Sequence, residues 1–153
     1  MPADSLNEEA PATEAAAEVT ELLASARQAL AGHLGVPPAR ATRTAALLGR
    51  AALEEIVVSE CARLGISAYA TMRTRLICMR VLVDAAAGHA ACLAWGGLSS
   101  ACHHHSYELS PTATEIAHLL DLVDRLHRWK HHTGAARSQH DPATGPMPPK
   151  ASI

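Results

Sequence analysis

The chain is poor in large aromatic side chains: its 153 residues include no phenylalanine, two tryptophans and two tyrosines. The interior must therefore be filled mainly by Leu, Val, Ile, Met and Ala, which suit closely packed helices. No apolar run reaches the roughly 18 residues that a membrane span requires. The N-terminal residues also lack the basic, apolar and cleavage-site succession of a signal peptide. These absences predict a cytoplasmic protein with no membrane partner.

A strong charge of either sign is missing as well. The formal net charge is −2 with the ten histidines neutral, so no overall field favours a polyanion and nothing in the charge indicates DNA binding. Arginine outnumbers lysine eleven to two, a bias typical of a GC-rich bacterial coding sequence. The four cysteines are scattered. In a cytosolic protein we expect them to be reduced thiols, and those at positions 61, 78 and 92 to be small buried hydrophobes.

Helical periodicity dominates the first half of the chain, and neither β-type alternation nor an internal repeat stands out. The first helix is predicted to end at Gly35, and the second to run from about residue 39 to 64 and end at Gly65. The apolar face of the second helix is broad enough to be buried against more than one neighbour. A third helix is predicted to begin with Ser67 as its N-cap. The residues predicted to mark the solvated side of helix two are Arg50, Glu54, Glu55 and Arg63.

In the second half, Gly88 interrupts the pattern, and residues 89–102 are predicted to form a short helix broken or bent at Gly96 and Gly97. The last helix is the clearest of all, because its apolar residues recur with helical spacing over three turns. We therefore predict an all-α fold: an up-and-down bundle of four main helices and one short helix, or four to five helices in all.

The predicted domain spans residues 11–132, between a flexible N-terminus (1–10) and a disordered tail (133–153) that is rich in Gly, Pro, Ser and Ala. Two starts are available for the last helix. Ser110 is a good N-cap with Pro111 at the first helical position, whereas Thr112 and Glu115 offer a capping box. Near its end, the histidines at 127, 131 and 132 are predicted to belong to a fraying helix terminus.

Three charged residues of helix three fall on one face. Arg73, Arg80 and Asp84 are spaced so that Arg80 and Asp84 could form an i,i+4 ion pair. The face is then a solvated ion-pair surface or, alternatively, the edge of a phosphate-binding site.

Side chains that can bind metals or transfer protons are most concentrated in a run of three histidines directly after Cys102: His103, His104 and His105. Histidines at the C-terminal end of a helix favour the negative end of the helix dipole, so a purely structural capping role is possible. Nucleophilic catalysis by Cys102 with His103 as its base is disfavoured, because adjacent helical side chains diverge by about 100°.

A zinc site is a further alternative. His89 and Cys92, and Cys102 and His105, form two pairs three residues apart, and together they make a Cys2His2 ligand set. On one straight helix Cys92 and Cys102 would be about 15 Å apart. The site therefore requires the chain to fold back between them.

The region from Trp95 to Glu115 resembles the HEPN superfamily of bacterial helical bundles. The residues that carry the resemblance are Trp95, Leu98, Ser99, Ser100, His103, His104, His105, Glu108, Leu109, Pro111 and Glu115. The resemblance implies a helical bundle from a toxin, antiphage or RNA-processing system. It also implies an Arg shortly before a His at the start of a late helix, and metal-independent RNA cleavage in a composite site across a dimer. Ser99 and Ser100 stand where the Arg is expected, and a serine cannot supply a permanent cation.

The leading expectation is therefore a non-catalytic or degenerate HEPN-like interaction or accessory module, in a bacterial defence or toxin–antitoxin system, that needs no cofactor. A homodimer or another protein partner is expected from the broad apolar faces of helices two and three and from the resemblance. The alternative is a metal-independent endoribonuclease that binds RNA and cleaves it with His103, His104 or His105, with Arg73 or Arg80 as the cation. A zinc-stabilised helical module is the second alternative.

Overall fold

The computed structural model describes residues 9–103 and 111–138, and the side chains within 13–103 and 111–133. The described residues form helices joined by short turns, as the all-α prediction required. The helices are α1 (Glu9–Leu30), α2 (Pro38–Arg63), α3 (Met72–Cys78), α4 (Ala85–Cys102) and α5 (Ala113–Ser138). A π-helical turn, Met79–Val83, continues α3 and leads to α4.

The four long helices run alternately up and down. Side chains of α1 meet α5 in reverse order, since Arg27 contacts Asp121 whereas Thr20 contacts His127. Helix α4 is likewise antiparallel to α2, and α5 is parallel to α2 across the bundle. The predicted up-and-down bundle of four main helices and one short helix is confirmed, but the short helix is α3. The segment predicted to be short, 89–102, belongs to the long helix α4.

Small residues let the helices approach closely. Seven alanines on α1, α2 and α4 are fully buried: Ala26, Ala29, Ala45, Ala46, Ala52, Ala91 and Ala94. Gly49 of α2 faces Leu120 of α5 so tightly that a Cβ at this position would lie 2.4 Å from the leucine Cδ2. Leucines, isoleucines and valines, with Met79, Cys61 and Cys102, fill the remaining volume. The absence of phenylalanine is thus matched by a core in which alanine sets the helix spacing.

Glycines end the first two helices through backbone geometry. Gly32 and Gly65 have φ of 77° and 72°. In each case the glycine N–H and the next N–H donate back to carbonyls of the last turn, for example from His33 to Gln28 at 2.9 Å and from Ile66 to Cys61 at 3.0 Å. This is the Schellman arrangement that satisfies carbonyls at a helix end. The predicted end at Gly65 is confirmed, whereas α1 ends at Leu30 and its terminal glycine is Gly32, three residues before the predicted Gly35.

Helix α3 starts later than the sequence predicted. Its N-cap is Thr71, whose side chain accepts from the N–H of Thr74 at 3.2 Å. The predicted cap, Ser67, instead accepts from the N–H of Tyr69 at 3.2 Å within the loop. Two hydroxyl residues four positions apart offered the same local signal, and the packing of Met72 and Leu76 against the core selects the later one.

The real break in the second half of the chain is at Asp84, not at Gly88. Asp84 has the extended angles φ −159° and ψ 128° and caps α4, since its carboxylate accepts from the N–H of Ala87 at 2.7 Å. Gly88 is buried inside α4, where an added Cβ would lie 2.3 Å from the Cα of Arg80. A glycine here permits the π-helical turn to pack directly on α4, so it marks a close approach and not an interruption.

Helix α5 begins at the capping box. The Thr112 Oγ1 accepts from the N–H of Glu115 at 3.2 Å, and the Glu115 carboxylate accepts from the N–H of Thr112 at 2.7 Å. The helix continues to Ser138, so residues 133–138 of the predicted disordered tail are helical and the helix continues past the predicted domain end at 132. Residues 139–153 lie outside the described part. No helix within the described ranges is long and apolar enough to cross a membrane.

Candidate functional site

The histidine run begins where α4 ends. Cys102 is the last residue of α4 and is 3% exposed, whereas the next residue, His103, is exposed and caps the helix. The His103 N–H donates to the carbonyls of Ser99 and Ser100, both at 3.2 Å. His103 thus closes the last turn of α4 with its backbone and leaves its imidazole on the surface. His104 and His105, together with residues 106–110, lie outside the described residues, and so do the roles predicted for the two histidines.

Two arginines of α2 reach this end of α4. The guanidinium carbon of Arg50 lies 4.5 Å from the centre of the Trp95 ring, in a cation–π contact. Arg50 and Arg43 also lie close enough to Cys102 for their positive charge to act on its thiol. Arg50 was predicted to mark the solvated side of helix two, and it is partly exposed. The aromatic ring on a neighbouring helix, which a helical pattern cannot reveal, provides its partner.

The chemistry of Cys102 follows from its burial. Desolvation raises the pKa of its thiol, while the charges of Arg50 and Arg43 lower it by less. A thiol that remains protonated is a weak nucleophile and a poor metal ligand. Cys102 therefore acts as a small core residue. Of the three cysteines predicted to be buried, Cys61 is buried, whereas Cys78 and Cys92 are only partly buried.

A basic edge runs along the first half of α2. From residue 32 to residue 53 the sequence contains Arg40, Arg43 and Arg50 but no aspartate or glutamate. Within the described ranges none of these three arginines forms an ion pair, whereas Arg27, Arg63 and Arg128 do. We refer to Arg40, Arg43 and Arg50, together with Trp95, which Arg50 contacts, and His103, which follows Cys102 in the chain, as the basic edge. Guanidinium groups next to an exposed imidazole can bind phosphate, and a tryptophan ring can stack on a base.

The arginines that the sequence suggested as catalytic cations lie at the other end of the bundle. The backbone of Arg80 packs on Gly88, near the start of α4. His103 follows Gly88 by fifteen positions, which corresponds to about 22 Å along the helix axis. Arg73 lies on α3, which leads into the same π-helical turn. Within one chain the structure does not bring Arg73 or Arg80 to His103.

The predicted trio on helix three does not pair as expected either. The carboxylate of Asp84 caps α4, and no ion pair with Arg80 forms in the described part of the chain. Both Arg73 and Arg80 are exposed. Asp84 thus caps the N-terminus of α4, and Arg73 and Arg80 remain as solvated charges.

The fold-back required by the zinc site is absent. Helix α4 is continuous from Ala85 to Cys102, so Gly96 and Gly97 neither break nor reverse it. Cys92 and Cys102 are therefore about 15 Å apart along the axis, too far to share an ion. The fourth proposed ligand, His105, lies outside the described residues, and His89 is on α4 with Cys92. Within the described ranges no group of three or more His, Cys, Asp or Glu side chains could hold a metal ion.

A second polar cluster, which the sequence analysis missed, lies in the seam between α2 and α5. The Lys130 Nζ donates to the Ser59 Oγ at 2.5 Å. Next to it, the Glu60 carboxylate is only 6% exposed and pairs with Arg63 at 3.1 Å. A signal was present, because Glu60 follows the buried Ile56 by four positions and so falls on the apolar face of α2.

A third polar contact joins α1 to α5. His127 is 8% exposed, and its Nε2 lies 3.3 Å from the Thr20 Oγ1. His131 packs edge-on against it with ring centres 4.6 Å apart. The prediction of a fraying helix end is wrong for His127, since α5 continues past it and its ring is enclosed by the bundle.

In comparisons with protein-family models, curated proteins and solved structures, nothing matches this chain. The likeness to the HEPN superfamily therefore rests on the residues from Trp95 to Glu115 and stays a prediction.

Proposed function

We propose that the protein is a non-catalytic, HEPN-like interaction module that works as a homodimer, in a bacterial defence or toxin–antitoxin system. The observation that carries the proposal is a group of exposed aliphatic side chains around the π-helical turn. Val81 is 69% exposed, Leu82 61% and Ile77 49%. We call these three residues the π-turn patch. Adjacent large aliphatic side chains in water are typical of an interaction surface, and π-helical turns are frequent at functional sites.

The patch is the part of the remaining apolar surface in which three large aliphatic side chains lie close together along the chain, whereas Leu34, Leu47 and Leu93 are exposed elsewhere. The broad face of α2 is used inside the chain, where residues such as Leu53, Ile56 and Val57 are fully buried. On α3 and the π-helical turn, Leu76 and Met79 are buried in the same core. On this segment, the residues left for an intermolecular contact are therefore those on the outer side of the turn.

A second copy of the chain is the partner that fits best. In a two-fold interface the same patch lies on both partners, so the exposed aliphatic side chains of each copy cover those of the other. The resemblance to HEPN proteins also implies a dimer. The flanking Arg73 and Arg80 stay at the polar rim of such a contact, where charged groups remain hydrated.

Sedimentation velocity at micromolar concentration tests this proposal. The wild-type chain is expected to sediment as a dimer, and Val81→Glu and Leu82→Glu as monomers, because each buries a charge in the contact. Leu93→Glu is the matched control, since Leu93 is 56% exposed on α4, outside the patch. This variant should remain dimeric. A monomeric wild type, or a loss of dimer in Leu93→Glu as large as in Leu82→Glu, would reject the patch as the interface.

The basic edge favours a second candidate function, RNA cleavage without a metal. A ribonuclease of this kind needs a histidine and a nearby permanent cation. Arg43 and Arg50 act on Cys102, the residue next to His103, so we infer that one of them takes the part of the cation that is missing at Ser99 and Ser100. They replace Arg73 and Arg80 in the sequence-based hypothesis.

An RNA cleavage assay in EDTA tests this second candidate. Cleavage should persist with the chelator and should fall in Arg43→Ala and in His103→Ala. Arg73→Ala and Arg80→Ala are matched controls at the opposite end of the bundle and should cleave like the wild type. Intact RNA after incubation with the wild-type protein excludes the ribonuclease and leaves the interaction module.

A further inference from the structure

The amine of Lys130 is held in an unusual place for a lysine. Its Nζ lies between α5 and α2 and donates to the Ser59 Oγ at 2.5 Å. The Ser59 hydroxyl donates in turn to the Glu55 carbonyl at 2.7 Å. Because the serine hydrogen is used by that carbonyl, Ser59 accepts from the lysine and fixes the position of its nitrogen. Lysine side chains normally extend into water, whereas this one is half-buried and tethered.

The surroundings of this amine disfavour its charged form. Burial lowers the pKa of Lys130, and the positive charge of Arg63 lowers it further, while the carboxylates of Glu60 and Glu55 oppose the shift. Glu60 already pairs with Arg63 at 3.1 Å, which divides its attraction between two cations. A larger share of the Lys130 amine is therefore neutral at a given pH than for a lysine in water.

We propose that Lys130 is an acylation site, at which activated acyl donors of the acyl phosphate or thioester class react with a positioned amine. The neutral Nζ attacks the carbonyl carbon of the donor and forms a C–N bond. The bond from that carbon to phosphate oxygen or thiolate sulfur breaks, and the leaving group departs with its electron pair. The proton released from nitrogen passes to solvent. Ser59 is a positioning residue in this step.

Acylation would change the seam between α2 and α5. The amide product carries no positive charge, so Glu60 keeps Arg63 as its cation but loses the attraction of Lys130. The modified side chain is also longer and must leave the contact with Ser59. The extent of acylation would depend on the concentration of the acyl donor, and acylation would weaken the contact between α2 and α5. This effect involves neither the π-turn patch nor the basic edge.

The sequence supplies an internal comparison, since Lys130 and Lys150 are its two lysines. The full chain is incubated with acetyl phosphate in one arm and acetyl-CoA in the other, and acetylation at each lysine is followed by mass spectrometry from pH 6 to pH 11. We expect Lys130 to be acetylated several-fold faster than Lys150 at pH 7.5 in at least one arm, and the arm that reacts identifies the donor. The midpoint of the pH–rate profile should be lower for Lys130, because a lower pKa raises the neutral fraction about tenfold per unit.

Equal or slower reaction of Lys130 at pH 7.5 in both arms, or a midpoint equal to that of Lys150, overturns the proposal. In Ser59→Ala the untethered amine is expected to move out of the seam into water, which removes the burial that lowers its pKa. The midpoint for Lys130 should then rise towards that of Lys150, and Ser59→Thr should restore it. In chemically unfolded wild-type protein the two lysines should react at similar rates. This last comparison keeps the proposal testable if the Ser59 variants fail to fold.

Discussion

At the scale of single residues, the most consequential side chain is His127. The Thr20 hydroxyl donates to the Ala16 carbonyl at 3.0 Å, so it must accept from the His127 Nε2. The other ring nitrogen, Nδ1, is then an acceptor, and it is buried without a partner among the described residues. Protonation of Nδ1 would place a new donor and a positive charge in this enclosed position. The ring is therefore kept neutral by its surroundings.

This arrangement predicts that acid destabilises the protein. Burial lowers the pKa of His127 from its usual 6.5, with smaller contributions from His131 and Lys130 that Asp124 opposes. Because the unfolded chain binds the proton more readily, the free energy of unfolding should fall as pH decreases through 6.5 towards the lower folded pKa. Urea unfolding between pH 7.5 and 5 measures the slope.

The variant His127→Gln should flatten that slope, since glutamine can still donate to Thr20 but does not titrate. His118→Gln is the matched control, because His118 is exposed on the same helix, and it should keep the wild-type slope. An unchanged slope in His127→Gln would assign the pH dependence to other groups.

At the scale of helices, the glycines of α4 differ in how much space surrounds them. A Cβ at Gly96, exposed within α4, would meet no atom within 4 Å. A Cβ at Gly88 would lie 2.3 Å from the Cα of Arg80, which is backbone and cannot rotate away. Gly97 is intermediate, because a Cβ there would lie 2.7 Å from the Cδ1 of Leu119, the far end of a flexible side chain. The same residue type is thus dispensable at one position and required at another on a single helix.

We expect Gly96→Ala to stabilise the protein by about 0.5–1 kcal/mol, the gain in helix propensity without a packing cost. Gly88→Ala should destabilise it by about 1–3 kcal/mol, because the π-helical turn must move away from α4. Thermal or urea unfolding of the two variants provides the comparison. If Gly88→Ala were as stable as Gly96→Ala, the close approach of Arg80 to α4 would be disproved.

Some helix ends could be predicted from the local sequence, and others could not. Gly65 and the Thr112–Glu115 capping box were both available from the sequence, and the structure uses both. Where two equivalent signals lay close together, the sequence could not choose between them, as with Ser67 and Thr71. The choice depends on which start or end lets the apolar face meet the core. At Gly96 and Gly97 the local signal is overridden: glycine weakens a helix, but the packing of α4 keeps the helix continuous through both residues.

At the scale of the whole molecule, the π-turn patch links folding to association. If the chain is a dimer through this patch, the dimer and not the monomer is the folded species that competes with the unfolded chain. The Tm of the wild type should then rise with protein concentration. Scanning calorimetry over about a hundredfold range of concentration measures this. The Tm of Leu82→Glu should be independent of concentration, and a constant wild-type Tm would contradict the dimer.

The sequence by itself determined the helical class, the up-and-down order and the broad buried face of α2, because the spacing of apolar residues along a helix fixes which face is buried. It also identified the histidine run as a junction between two helices. Only the tertiary structure decided which side chains from different helices meet. It brought Arg43 and Arg50 beside Cys102, kept Arg73 and Arg80 at the far end, and paired Lys130 with Ser59. Such partners are far apart in sequence, and their meeting depends on helix direction and register, which no local pattern records.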